Sequence, residues 1–375
     1  MAKPILWERV PNQVAWSSSG TISQELSPKP YTITRMAILV RAIGTTTTAG
    51  SYNDAWERLI SRLNLTGAGK TFFDYSQMRL LYHQTRFLGY APRRPDRIAD
   101  SITTGDQHFM YIIHFGAFPT LNGRDNPFDL SGGIPPVSTG NLTLGGTFGV
   151  NTDPGSGWTT TDGDLDIYLC GVRPEAGDPV EAYMPRAFPV WSMQSPSLAA
   201  TSSAFATEHN IPAGDFLRSL LVLLTNGTNN PRDDSVLNSF EVYNQLDATS
   251  VVRFGGQTGA VTDYQAAEML LQYDPSHIVP PSDNITTAMD AIASGGTNGT
   301  LVIGGPTKDS GLLPVDFTKI AYRSPLGALY GVDMRSVATG DLKLRFGVSD
   351  ATGVAMHVGY QRYQLNPAHP ANVGI

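Results

Sequence analysis

Ile33-Thr-Arg-Met-Ala-Ile-Leu-Val-Arg-Ala-Ile-Gly44 aligns without a gap on Phe216-Leu-Arg-Ser-Leu-Leu-Val-Leu-Leu-Thr-Asn-Gly227, 183 residues downstream (216 − 33). Both stretches open on an apolar residue, carry arginine in third place (Arg35, Arg218), run through a β-rich apolar core and stop at glycine. Strands draw on few residue types, so one such match could be coincidence. Two further landmarks follow in the same order. Asp74-Tyr75 precedes Gln77-Met-Arg-Leu-Leu-Tyr82, and Asp263-Tyr264 precedes Ala266-Ala-Glu-Met-Leu-Leu271. Thr139-Gly-Asn-Leu-Thr-Leu144 with Phe148-Gly-Val150 is answered by Thr339-Gly-Asp-Leu-Lys-Leu344 with Phe346-Gly-Val348. A slow drift in offset is what changes of loop length produce. The chain reads as one domain duplicated in tandem.

The rest of the sequence divides around these anchors. Residues 1–27, with Pro4, Pro11 and Ser17-Ser-Ser-Gly20, read as an extended arm carrying Trp7 and Trp16, docked on another surface rather than free in water. Residues 28–174 form the first domain, 175–200 a proline-rich linker, 201–365 the second domain and 366–375 a tail. Ile33–Ala42, Phe109–Phe115, Leu142–Val150 and Leu165–Val172 have strand character, as do Phe216–Thr225, Ala248–Phe254, Leu342–Val348 and Val354–Gln364. Asp74 and Asp263 are expected to cap one short helix in each half, over about 75–86 and 264–273. Met78, Leu81 and Tyr82 share a face of the first; Ala267, Leu270 and Leu271 share a face of the second. Short strands joined by Gly- and Pro-rich links predict an all-β chain, a tandem double jelly roll with two eight-stranded barrels.

Composition narrows the function. Charged residues make up 16% of the 375, against ~25% in ordinary soluble domains. Much of the surface is therefore neutral, as subunit contacts are. Net charge is −7 and no dense basic stripe occurs beyond Arg93-Arg94 and Arg97, which argues against direct nucleic-acid binding. No stretch is long and apolar enough to cross a bilayer as a helix, and the first residues lack a secretory apolar core, so synthesis in a cytoplasm is expected.

Candidate chemistry is thin. Gly67-Ala-Gly-Lys-Thr71 resembles the end of a phosphate-binding loop, but the motif needs glycine where Asn64 stands, and a hairpin turn is the better reading. Asp162, Asp164 and Asp166 imitate part of a calcium loop whose twelfth position would fall at Arg173. His108 and His114, six residues apart on a strand, stand ~20 Å apart, too far for one metal. Cys170 lies in a strand pattern and reads as a buried structural thiol. Ser310 in Lys308-Asp-Ser-Gly311 lacks the strand-turn-helix setting of a nucleophile. The Asn-x-Thr triplets at Asn64, Asn141, Asn226, Asn284 and Asn298 matter only in a secretory pathway. No catalytic, cofactor-binding or metal residue is therefore assigned, and the chain is not expected to be an enzyme.

The repeated strand starts, the Asp-Tyr landmarks and the ending Tyr330-Gly-Val, Leu342-Lys-Leu, Gly359-Tyr-Gln-Arg-Tyr363 give the chain its resemblance. From about residue 28 to 365 it resembles the double jelly-roll major capsid proteins of tailless, internal-membrane-containing double-stranded DNA viruses of microbes, the tectivirus and corticovirus group. That resemblance implies a homotrimer with six barrels and a pseudo-hexagonal outline, tiling an icosahedral virion beside penton and minor capsid proteins. An internal viral membrane is a further partner it admits, although an extended rather than helical N-terminus departs from the family pattern. The competing readings are a secreted carbohydrate-active enzyme or lectin with paired jelly rolls, and a trimeric phage spike or fibre.

Overall fold

A computed structural model describes residues 3–26, 29–46, 56–87, 105–117, 120–121, 124–126, 128–136, 142–154, 158–198, 200–226, 232–255, 311–319 and 324–373. The first barrel is built from β1 (Lys3–Arg9), β2 (Thr21–Leu26), β3 (Thr32–Thr46), β4 (Ile60–Gly67), β5 (Lys70–Tyr75), α1 (Met78–Phe87), β6 (Gly105–His114), β7 (Leu142–Phe148) and β8 (Trp158–Arg173). Its two sheets run β1-β8-β3-β6 and β2-β7-β4-β5. In the second barrel, β9 (Ala187–Pro189) and β10 (Trp191–Gln194) make one interrupted strand. They are followed by β11 (Thr207–Asn210), β12 (Phe216–Thr225), β13 (Leu237–Asn244), β14 (Thr249–Gly255), β15 (Leu312–Asp316), α2 (Pro325–Tyr330), β16 (Leu342–Val348) and β17 (Ala355–Leu365). Its sheets repeat the order as β10-β17-β12-β15 and β11-β16-β13-β14. Among the described residues, eight principal strands in each half, paired in the same order, make the fold a double jelly roll.

The two opening stretches are the equivalent central strands β3 and β12, both buried on two faces and flanked alike. Bulges make the correspondence residue-specific, because an extra residue on one strand is a local feature that chance rarely repeats. Ser61 is the extra residue of β4 against β7, and Asn238 that of β13 against β16. Phe72 is the extra residue of β5 against β4, and Val251 that of β14 against β13. On the central strands the bulge falls at Thr34 against β8 but at Arg218 against β17. Counted from the bulge, Arg218 therefore matches Thr34, one residue away from the ungapped alignment, which paired it with Arg35. Strands β7 and β16 occupy matching places, with Leu142, Leu144, Leu342 and Leu344 all buried.

Three expectations change. Within the stretch 1–27, the described residues 3–26 are extended but are not a free arm. Lys3–Arg9 pairs antiparallel with β8 and Thr21–Leu26 with β7, so the stretch supplies two of the first barrel's strands. Val10, Ile22 and Leu26 enter the core. The alternation in Thr21–Leu26 was the signal, hidden by the prolines and serines around it. The stretch assigned to a linker contains β9 and β10, the first strand of the second barrel, with Trp191 buried. Pro189 is tolerated because the strand breaks there before Val190 N–H bonds the Arg362 carbonyl.

Asp74 does not cap a helix. It sits in β5 opposite Asn64, held by Arg62 at 2.9 Å, because the Phe72-Phe73-Asp74-Tyr75 strand continues past the expected boundary. Helix α1 starts at Met78, and Met78, Leu81 and Tyr82 are buried as expected. The second expected helix, 264–273, lies outside the described residues, as does the Asn298-Gly299 turn. The short α2 is capped by Ser324, whose hydroxyl accepts from Gly327 N–H at 2.8 Å, with proline in its first turn.

Candidate functional site, the seam between the barrels

The barrels meet edge to edge. Strand β5 of the first and β10 of the second pair in parallel, Trp191 beside Phe73 and Ser192 beside Asp74. One sheet of each barrel thereby merges into a single ten-stranded sheet. Phe73 is placed at this edge by a tight turn. Residues Ala68 and Gly69 both take positive φ (51° and 73°) between the paired Gly67 and Lys70. That is a two-residue hairpin, the alternative preferred over a phosphate loop.

Aromatic rings fill the seam from both sides. The Trp191 ring lies 6.1 Å from Phe115 and 6.5 Å from Tyr363; Tyr330 lies 5.3 Å from Tyr363 and 5.9 Å from Phe216. Both tyrosine hydroxyls reach across the boundary, Tyr363 donating to the Gly116 carbonyl at 3.2 Å and Tyr330 to that of Ser131. Burial pushes both phenols upward, so they stay neutral donors. Helix α1 is a wedge, packed on β6 and also on β12 and β17 of the other barrel. Gly359 permits this, because a side chain there would collide with Gln84, whose amide oxygen accepts from Tyr75. The first core continues unbroken through these contacts into Leu221 and Leu223.

The rim is polar. Lys70 contacts Gln364 at 2.9 Å and stands 4.0 Å above the Phe188 ring, beside a cleft of about 160 Å³ also lined by Asp215. Burial lowers the Lys70 ammonium, and Asp215 opposes the effect. Burial raises Asp215, opposed by Arg362 at 3.1 Å and by Lys70.

The sequence candidates are dispersed. Asp166 binds Arg9 at 2.7 Å and Gln13 at 3.0 Å, and Asp164 pairs with Arg41 at 3.4 Å. These aspartates therefore brace β8 against its neighbours. His114 is buried against Asp129 at 3.1 Å, while His108 is exposed. Cys170 is fully buried on β8. Ser310 lies outside the described residues. Among the described residues no group of three or more His, Cys, Asp or Glu could hold a metal, and no helix could cross a membrane. The seam itself was missed. Its signal was Lys3-Pro-Ile-Leu-Trp7 set against Phe188-Pro-Val-Trp191, a further echo of the duplication.

Two eight-stranded jelly rolls in tandem, fused along one edge, define the double jelly-roll class. Within it the chain is similar over 100% of both lengths to a structure described as the STIV MCP, with 12% identity and a TM-score of 0.65. A chain from the atomic structure of Sulfolobus Turreted Icosahedral Virus gives the same score at 14% identity, covering 99% of this chain and 94% of that one. The PBCV-1 virus capsid gives 0.59 at 12% identity, covering 97% and 93%. No protein-family profile matches the sequence, and no curated protein matches it.

Proposed function

We propose that the chain is the major subunit of an icosahedral virion shell, with three copies forming a six-barrelled, pseudo-hexagonal capsomer. The observation that carries this reading is the seam, a continuous core that makes two similar barrels one rigid tile. Such a tile lets a three-fold oligomer occupy six-fold positions, and closed symmetry satisfies its exposed edges. The capsid proteins that share the fold end to end support the same reading. Its partners are then copies of itself, neighbouring capsomers, and penton and minor capsid proteins, with no direct contact to the genome. A structural rather than enzymatic role, and residence in the virion, follow from it.

The test is oligomeric state and shape. Light scattering on the full-length protein should give a trimer of the 40.4 kDa chain. Negative-stain images should show hexagonal outlines with six densities. A chain that stays monomeric at high concentration and appears in particles without three-fold capsomers, or that forms elongated spikes, would overturn the reading.

A further inference from the structure

The seam uses one edge of each barrel and leaves the matching edge of the other barrel at the border of its sheet. Strand β5 corresponds to β14, which among the described residues is the last strand of its sheet, and β10 corresponds to β1, likewise a border strand there. The bulges fix the positions. Matching Phe72 to Val251 sets Phe73 against Val252 and Asp74 against Arg253. Matching the bulges on β3 and β12 sets Val172 against Tyr363 and Leu169 against Tyr360 on the last strands. Pro4, opposite Val172, is then the counterpart of Pro189, opposite Tyr363. Glu8, opposite Leu169, is the counterpart of Ser192, opposite Tyr360.

Within the chain, Trp191 meets Phe73 and Ser192 meets Asp74. Repeating that contact between β14 of one copy and β1 of the next brings Trp7 to Val252 and Glu8 to Arg253. The charges are opposite, and both groups are accessible, the Glu8 side chain at 41% and Arg253 at 60%. Each is also held in place. Glu8 accepts from Lys29 and from Tyr31 at 2.8 Å, while the Arg253 guanidinium lies 4.3 Å above the Phe205 ring and 3.8 Å from Glu241. The two edges belong to different barrels and do not pair with each other among the described residues.

We infer that copies of this chain associate head to tail by reproducing the internal seam, with Arg253 of one copy set against Glu8 of the next. The occupant of each edge is a second copy of this chain. The inference rests on the ring-of-barrels reading above and adds which edges and which charges make the contact. Opposite charges placed across such an edge select the partner and the register more than they add affinity.

Two sets of variants of the full chain test it. With E8C and R253C combined, mild oxidation should yield a covalently closed trimer on a non-reducing gel, reverting to monomer on reduction; Cys170 is buried and stays silent. Separately, E8R or R253E alone should weaken trimer formation about tenfold or more, and the E8R/R253E pair should recover it to within about threefold. Recovery is the decisive readout, since loss of each residue's internal contacts would make the pair worse than either single change. A trimer that forms without the cross-link, or a pair that does not recover, overturns this contact and leaves the capsomer reading standing. A chain that stays monomeric throughout overturns both.

Discussion

Replacing Trp191 by alanine tests whether the seam makes one molecule of two barrels. The indole is 1% exposed, faces Phe73 across the parallel pairing, and lies between Phe115 of the first barrel and Tyr363 of the second. Truncating a buried aromatic of this kind costs about 3–5 kcal/mol, part transfer and part cavity. The flanking backbone can do little to compensate, because β10 pairs with β5 at only Trp191 and Ser192. With an unfolding entropy of about 2 cal/mol/K per residue over the whole chain, that loss lowers Tm by about 4–6 °C. Calorimetry should show a second effect. The parent should unfold in one transition, with calorimetric and van't Hoff enthalpies close, and W191A should separate toward two transitions as the barrels uncouple. W191F, which keeps a ring against Phe115, should lose only about 1–2 kcal/mol. A loss under about 1 kcal/mol for W191A, or two resolved transitions already in the parent, would refute the argument.

Three other perturbations follow from the structure. Glu208, Arg345, Glu241 and Arg253 form an alternating ladder across β11, β16, β13 and β14, with Glu241 at 2% side-chain exposure and 2.8 Å from Arg345. E241A should cost about 2–3 kcal/mol by urea titration, below the full penalty for a broken buried pair because both arginines reach solvent, and E208A under about 1 kcal/mol. A Glu241–Arg345 double-mutant coupling below about 0.5 kcal/mol would discount the ladder. Acid should weaken the fold early: burial, then Arg79, lowers His357 from 6.5 to about 4, and burial lowers His209 and His369 in the same direction. The unfolded state then binds protons that the folded state refuses, so stability is complete above about pH 6.5 and falls between there and about pH 4. His357 contributes at most about 3 kcal/mol, and H357N should flatten the slope; an unchanged slope would count against that assignment. Deleting residues 1–27 removes two strands together with Val10, Ile22 and Leu26, and circular dichroism should show loss of the first barrel rather than a folded chain that merely fails to assemble. A truncated chain with native β signal and cooperative melting would contradict the pairing.

The duplication was legible because β3 and β12 are buried on both faces, where a long, mostly apolar run is required whichever barrel the strand serves. The hairpin at Ala68-Gly69 was legible because two consecutive positive φ angles call for small residues. The short border strands were not. Lys3–Arg9 and Trp191–Gln194 are short and contain or adjoin proline, so local pattern places them among loops, and only long-range pairing with β8 and β17 makes them strands. Asp74 shows the same limit from the other side: its helix-capping signature is real as chemistry, but a cross-strand arginine at position 62 claims the carboxylate. The seam is beyond local pattern altogether, since Trp191 meets Phe73 only after both barrels have formed.

The parallel pairing of β10 with β5 also has a meaning for how such a chain can change over time. Two surfaces on one polypeptide meet at an effective concentration in the millimolar range or above, set by the connection between them. That contact persists on shape, apolar burial and neutral hydrogen bonds, with no ion pair between the two paired strands, and it places a small neutral serine beside Asp74. Its counterpart between separate chains has no tether and must be found by diffusion, in the right orientation, among wrong alternatives. Fusing two equal barrels thus splits a once-shared constraint: one copy of the contact is released to become core, while the other is free to acquire the charges, Glu8 and Arg253, that discriminate self from neighbour.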